Sequence, residues 1–109
     1  MDDRDRRMAQ NEALFREVNE RVNDVAGALR DDATFEYLCE CSNTDCTFRV
    51  PLTRGEYEGV RGDPTQFIVL PDHFLPEIET VVMQNDRYSI VRKTGEAGEY
   101  AAKLDPRSR

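Results

Sequence analysis

Apolar side chains in the first thirty residues recur at helical spacing. Phe15, Val18, Val22, Val25 and Leu29 alternate steps of three and four, and Met8 extends the series by one heptad. Leu14, Ala26 and Ala28 widen the stripe, Asn11 interrupts it, and Asp31 and Asp32 end it. The pattern predicts an amphipathic helix over about residues 8–30. A stripe this wide is expected to cover the chain's own core, although three heptads also meet the lower limit for a dimerising helix.

The period then shortens to two. "ATFEYLCEC" puts Phe35, Tyr37, Cys39 and Cys41 on one face and Glu36, Leu38 and Glu40 on the other. Ser42, Asn43, Thr44 and Asp45 supply a turn, and "CTFRVPL" returns as a second strand, so a β-hairpin is predicted with the cysteines near its tip. Thr53 and Glu56 make a T-x-x-E capping box for a short helix over "RGEYEGVR", which Gly62-Asp63-Pro64 breaks. "QFIVL" reads as a third strand, followed by a Pro71–Pro76 loop. "IETVVMQ" and "RYSIVRK" flank Asn85-Asp86 as a second hairpin. "GEAGEYAAKL" predicts a last short helix, weakened by Gly98, and "DPRSR" a frayed tail. The fold class expected is α+β: one domain over 1–109, with the N-terminal helix packed on a small, mainly antiparallel sheet body over about 34–104.

Charge narrows the choice of partner. The chain of 109 residues has net charge −7. Residues 1–30 hold 7 acids and 6 bases (net −1), leaving 15 acids and 9 bases (net −6) for the rest. Proteins that neutralise phosphates carry a basic surplus or stripe, so nucleic acid and anionic membranes are disfavoured partners. No apolar run reaches the ~20 residues of a membrane span. "MDDRDRRMAQNEALF" lacks the apolar segment of a secretory signal. The expected location is the cytoplasm, where thiols stay reduced.

All three cysteines fall in "CECSNTDC", as Cys39-x-Cys41-x4-Cys46. Two cysteines one residue apart on a strand share a face, and a short polar turn can bring the third beside them. His73, the chain's only histidine, stands on a proline-flanked loop and could complete a tetrahedral Cys3His site, a common structural zinc set. Merely buried thiols, a disulfide or an iron–sulfur cluster are the competing readings. Asp45, Asp72 or an exogenous group would serve if His73 does not.

"NEALFREVNERV", "CECSNTDC", "LTRGEYEGVR", "FIVLPDH" and "DRYSIVRKTGEAGEYA" together resemble a family of small uncharacterised bacterial proteins, mostly actinobacterial. That family combines a long N-terminal helix, a C-x-C-x4-C cluster, an E-Y-E-x-V-R helix and a P-x-H segment. The resemblance runs from about Asn11 to Asp105 and implies that Cys39, Cys41, Cys46 and His73 match the family's metal ligands. Asp72 stands where the family has Gly, which could alter the reach of the loop. No activity comes with the resemblance.

An enzyme is not expected. Three cysteinates and a histidine leave no open position for water, and no Ser/His/Asp set forms without consuming His73. No glycine-rich phosphate loop is present, and the carboxylates, Glu56 and Glu58 among them, read as solvated. The expected function is a regulatory or adaptor module that binds another protein, as a monomer or a helix-mediated dimer. Its candidate surfaces are the stripe around Phe15 and the helix bearing Tyr57, Val60 and Arg61, where core packing is the simpler reading for Tyr57 and Val60. A nucleic-acid-binding regulator presenting Arg49, Arg54 and Arg61 is the second reading. A thiol-based redox or zinc sensor is the third.

Overall fold

A computed structural model of the chain describes residues 3–27, 33–41, 46 and 48–108. Leu29, Asp31, Asp32 and the 42–45 turn, Asp45 included, lie outside the described residues. Helix α1 spans Asp3–Gly27, followed by β1 (Thr34–Leu38), β2 (Arg49–Thr53), α2 (Arg54–Val60), β3 (Gln66–Val69), β4 (Glu79–Gln84), β5 (Ser89–Lys93) and α3 (Gly95–Leu104). The class is α+β as expected, but the strands form two antiparallel sheets: β1–β2, and β3–β5–β4.

Local signals act where the sequence placed them. Thr53 Oγ1 accepts the Glu56 N–H at 3.1 Å while Glu56 Oε1 accepts the Thr53 N–H at 2.9 Å, closing the capping box of α2. Tyr57 and Val60 of α2 are buried, and Tyr57 stacks on Tyr37 with ring centroids 4.6 Å apart. Together with Val50, Leu52, Phe67, Ile68 and Val91 they form the core between the sheets. Gly98 lets α3 sit against the end of β5, since a Cβ there would lie 2.7 Å from the Lys93 carbonyl oxygen. The expected frayed tail is instead docked as a 3-10 turn over Pro106–Ser108, with Arg107 bonded to Glu20 and Glu58.

The packing of α1 overturns the expected one. Ala9, Glu12, Arg16, Asn19, Asn23 and Ala26 face inward, whereas Leu14, Val18 and Val25 are exposed and Phe15 and Val22 only half-buried. The buried stripe has the same three-and-four spacing, one residue out of phase with the apolar one. Its partners explain the choice. Asn19 behaves like a strand neighbour: its Nδ2 donates to the Leu38 carbonyl at 3.0 Å and its Oδ1 accepts the Leu38 N–H at 2.7 Å. Asn23 accepts from the Tyr37 hydroxyl at 2.9 Å and donates to Glu58 at 2.7 Å. Arg16 stacks 3.7 Å over the Phe67 ring and donates to the carbonyls of Pro64 and Gln66. Buried polar groups are costly without partners, so a surface of backbone groups and ions is matched by a polar helix face. With its ring half outside this contact, Phe15→Ala is expected to cost about 1 kcal/mol in chemical denaturation, well short of the ~3–5 kcal/mol for emptying a core position.

Beneath α1, Lys93 Nζ lies 2.8 Å from both Glu12 and Glu79, with its well-aligned hydrogen bond going to Glu79. Burial pushes the Glu12 carboxyl up to about 8 from 4.5, against the pull of Lys93. A folded value above the unfolded one means that this group's stabilisation is complete below pH ~4.5 and fades as pH rises towards 8. Stability should therefore fall across pH 5.5–8 by a few kcal/mol in the parent and much less in Glu12→Gln, as read by urea midpoints at each pH.

Candidate metal centre

The two halves of the site reach the same place by different routes. β1 ends at Leu38, short of the expected strand, because the next residues leave β2 for β3. The Glu40 N–H donates to the Ile68 carbonyl at 2.8 Å. The Glu40 carboxylate is fully buried and accepts from Asn19 Nδ2 and the Tyr57 hydroxyl, both at 2.9 Å, and from the Ile68 N–H at 3.0 Å. Glu40 thus anchors the bend that carries Cys39 and Cys41. The Cys39 N–H still donates to the Phe48 carbonyl at 3.2 Å, which holds the start of the returning chain. His73 arrives after β3 on a turn closed by its own N–H to the Leu70 carbonyl at 3.1 Å. Asp72, just before it, has φ +68°, in the left-handed region that favours glycine and that Asp and Asn tolerate better than other residues. The turn so formed brings the His73 ring nitrogen to the three sulfurs. The Asp72 carboxylate is not among the converging donors.

The ligand atoms of Cys39, Cys41, Cys46 and His73 all lie within 4.8 Å of one another. His73 Nδ1 is 3.6 Å from Cys39 Sγ and 3.8 Å from Cys46 Sγ. Metal–sulfur bonds of about 2.3 Å and metal–nitrogen bonds of about 2.0–2.1 Å in a tetrahedron place sulfurs about 3.8 Å from each other and about 3.5 Å from the nitrogen. The donor spacing therefore suits one tetrahedral ion, with a contraction of about 1 Å at most across the widest pair. Cys39 and Cys41 are buried, while Cys46 and His73 keep part of their surface open. The Leu70 N–H donates to Cys39 Sγ at 3.3 Å, and the Phe48 ring stands edge-on to the imidazole with centroids 5.8 Å apart.

The surroundings of Cys39 and Cys46 favour the neutral thiol. Its contact with Cys41, then burial, pushes the Cys39 thiol up despite the Leu70 N–H, and burial raises that of Cys46. None of the three cysteines is joined in a disulfide. Thiolates crowded here would need a positive charge beside them, which a metal ion held by the four donors would supply.

Sequence reasoning brought the four donors together but missed the residues that hold them. Glu40 was assigned by alternation to a solvated face, and Asn19 and Tyr57 were not linked to the cluster. The signal was there: Glu12, Arg16, Asn19 and Asn23 form a polar stripe at helical spacing. The arginines of the nucleic-acid reading do not form a free patch. Arg61 is buried, paired with Asp105 and with Glu20 at 2.8 Å, and Arg54 lies 3.9 Å from Glu58. Among the described residues no helix is long and apolar enough to cross a membrane.

No protein-family model matches the chain, and no curated protein or solved structure matches it.

Proposed function

We propose that this chain is a small non-enzymatic zinc module of the actinobacterial kind its motifs resemble, in which one ion bound by Cys39, Cys41, Cys46 and His73 fixes the junction of the two sheets and the finished surface recognises another protein in the cytoplasm. The observation that carries the metal reading is the approach of four donor atoms to within 4.8 Å, three of them thiols that cannot ionise together without a cation. Four protein donors saturate a tetrahedral ion, which supports a structural role over a hydrolytic one. The apolar outer face of α1 supports the recognition role, since α2 buries Tyr57, Val60 and Arg61. The part-open surface of Cys46 favours the sensor as second reading, because an oxidant would meet that sulfur first.

Native mass spectrometry of freshly purified protein should show one zinc ion per chain. Peroxide at levels that leave Cys46 unmodified and zinc bound would argue against the sensor; metal-free chains with titratable thiols would argue against the module itself. Gel shifts with generic duplex DNA at physiological salt should show no binding, given net −6 over residues 31–109.

A further inference from the structure

The three sulfurs of the metal centre are unequally placed. Cys39 and Cys41 are 2% and 5% exposed, whereas Cys46 keeps part of its surface open. An oxidant arriving from solvent therefore meets Cys46, and the other two sulfurs lie behind it within 4.8 Å. The buried pair is unequal too. Cys39 Sγ accepts the Leu70 N–H at 3.3 Å, which ties it to the chain leaving β3. The Cys39 N–H bonds the Phe48 carbonyl; Cys41 lies two residues beyond that bond and Cys46 two residues before it. Equal offsets from one bond between antiparallel chains bring Cys41 level with Cys46.

We propose that Cys46 is the site at which a hydroperoxide oxidises this protein, and that Cys41 resolves the product in a disulfide that expels the metal ion. The proposal rests on the four-donor metal reading and names a regulation of that same site. The Cys46 thiolate attacks the terminal oxygen of the hydroperoxide and the O–O bond breaks. Cys46 becomes a sulfenic acid, and the leaving alkoxide or hydroxide takes a proton from solvent. An oxygen added from the open side points outward, so a buried sulfur stands behind the S–O bond, where a displacing thiolate must be. The Cys41 thiolate forms the S–S bond, and the hydroxyl leaves and is protonated to water. Two thiolates have lost two electrons to one peroxide. Cys39 and His73 remain, too few for a closed tetrahedral site. A partly covered sulfur on a chain of net charge −7 also favours a small neutral oxidant over a bulky anionic disulfide.

Hydrogen peroxide added to the zinc-loaded full chain, with its zinc counted beforehand, tests the proposal. About one zinc ion should leave per peroxide consumed, and the metal-free mass should fall by about 2 Da as two thiol hydrogens are lost. Cleavage after Glu40 separates Cys39 from Cys41; Cys39 should then be found alkylated alone, with Cys41 bridged to Cys46. A dithiol reductant and fresh zinc should restore the parent. Oxidised glutathione at the same concentration should release zinc at least about tenfold more slowly. Cys46→Ser, loaded with zinc, should lose it to peroxide about tenfold more slowly; should that variant hold no zinc, the peptide map of the parent decides. Zinc retained while only methionines such as the exposed Met83 gain oxygen would overturn the proposal. So would zinc lost with sulfinic acid at Cys46 and no S–S bond. A bridge from Cys46 to Cys39 would overturn Cys41 as the resolving thiol, and faster release by oxidised glutathione would overturn the choice of oxidant. A chain that holds no zinc before peroxide is added fails the metal reading itself, and this proposal with it.

Discussion

Replacing Cys41 with serine should remove most of the protein's cooperative stability. Cys41 is buried at the junction of the two sheets, with its sulfur among the four converging donors. A structural zinc ion contributes about 10–16 kcal/mol of apparent binding free energy in small peptides, against a total of about 5–15 kcal/mol for an ordinary domain. Losing this buried thiolate should therefore leave a chain that melts broadly or is unfolded at 37 °C, and chelator should do the same to the parent. His73→Ala should weaken zinc less, because the imidazole sits on the part-open side where water can replace it. Thermal melts with and without chelator on the parent and both variants rank the effects: parent highest, His73→Ala intermediate, Cys41→Ser lowest. Equal melting temperatures for metal-loaded and chelated parent would refute the stabilising role.

Glu40→Ala should be nearly as damaging without touching a ligand. Its carboxylate takes hydrogen bonds from Asn19, Tyr57 and the Ile68 N–H, and so ties α1, α2 and β3 to the segment between Cys39 and Cys41. Removing it strands three buried donors and leaves the buried Arg16, whose charge Glu40 helps to balance, less compensated. Breaking a buried charged network from one side costs about 3–5 kcal/mol. Glu40→Gln keeps the shape and part of the bonding and should cost about half as much. Urea unfolding at saturating zinc measures both, and zinc competition by a chromogenic chelator should show weaker affinity in Glu40→Ala, because the bend that presents two thiols is no longer fixed. An unchanged urea midpoint in Glu40→Ala would show that the network is dispensable.

The elements were legible in the sequence because their signals are local. The capping box of Thr53 and Glu56, the alternation through Tyr37 and the cysteine spacing each act over a few residues. The cluster itself could be anticipated because three thiols in eight residues and a lone histidine have few other uses. What escaped was long-range. Two stripes of α1, one through Phe15 and Val22, the other through Arg16 and Asn23, have the same spacing, and hydrophobicity chose the wrong one. The surface beneath α1 offers backbone groups of Leu38, Pro64 and Gln66 along with the ions of Lys93 and Asp105, which only folding brings together. Glu40 followed the alternation of its strand only on paper, because the chain leaves β2 after Leu38. The aim of His73 depends on the positive φ of Asp72, a property of the turn that the residue type permits without dictating.

Titration of the metal-free protein with cobalt(II) tests the central claim most directly, because cobalt reports both the number of ions and the geometry of their donors. The account predicts saturation at one ion per chain, intense visible absorption of a tetrahedral ion, and near-ultraviolet charge transfer from thiolate, with zinc displacing the cobalt stoichiometrically. The charge-transfer band should shrink in Cys46→Ser, while in His73→Ala the thiolate band should survive with altered visible absorption. No uptake, or a weak octahedral spectrum without thiolate charge transfer, would contradict it.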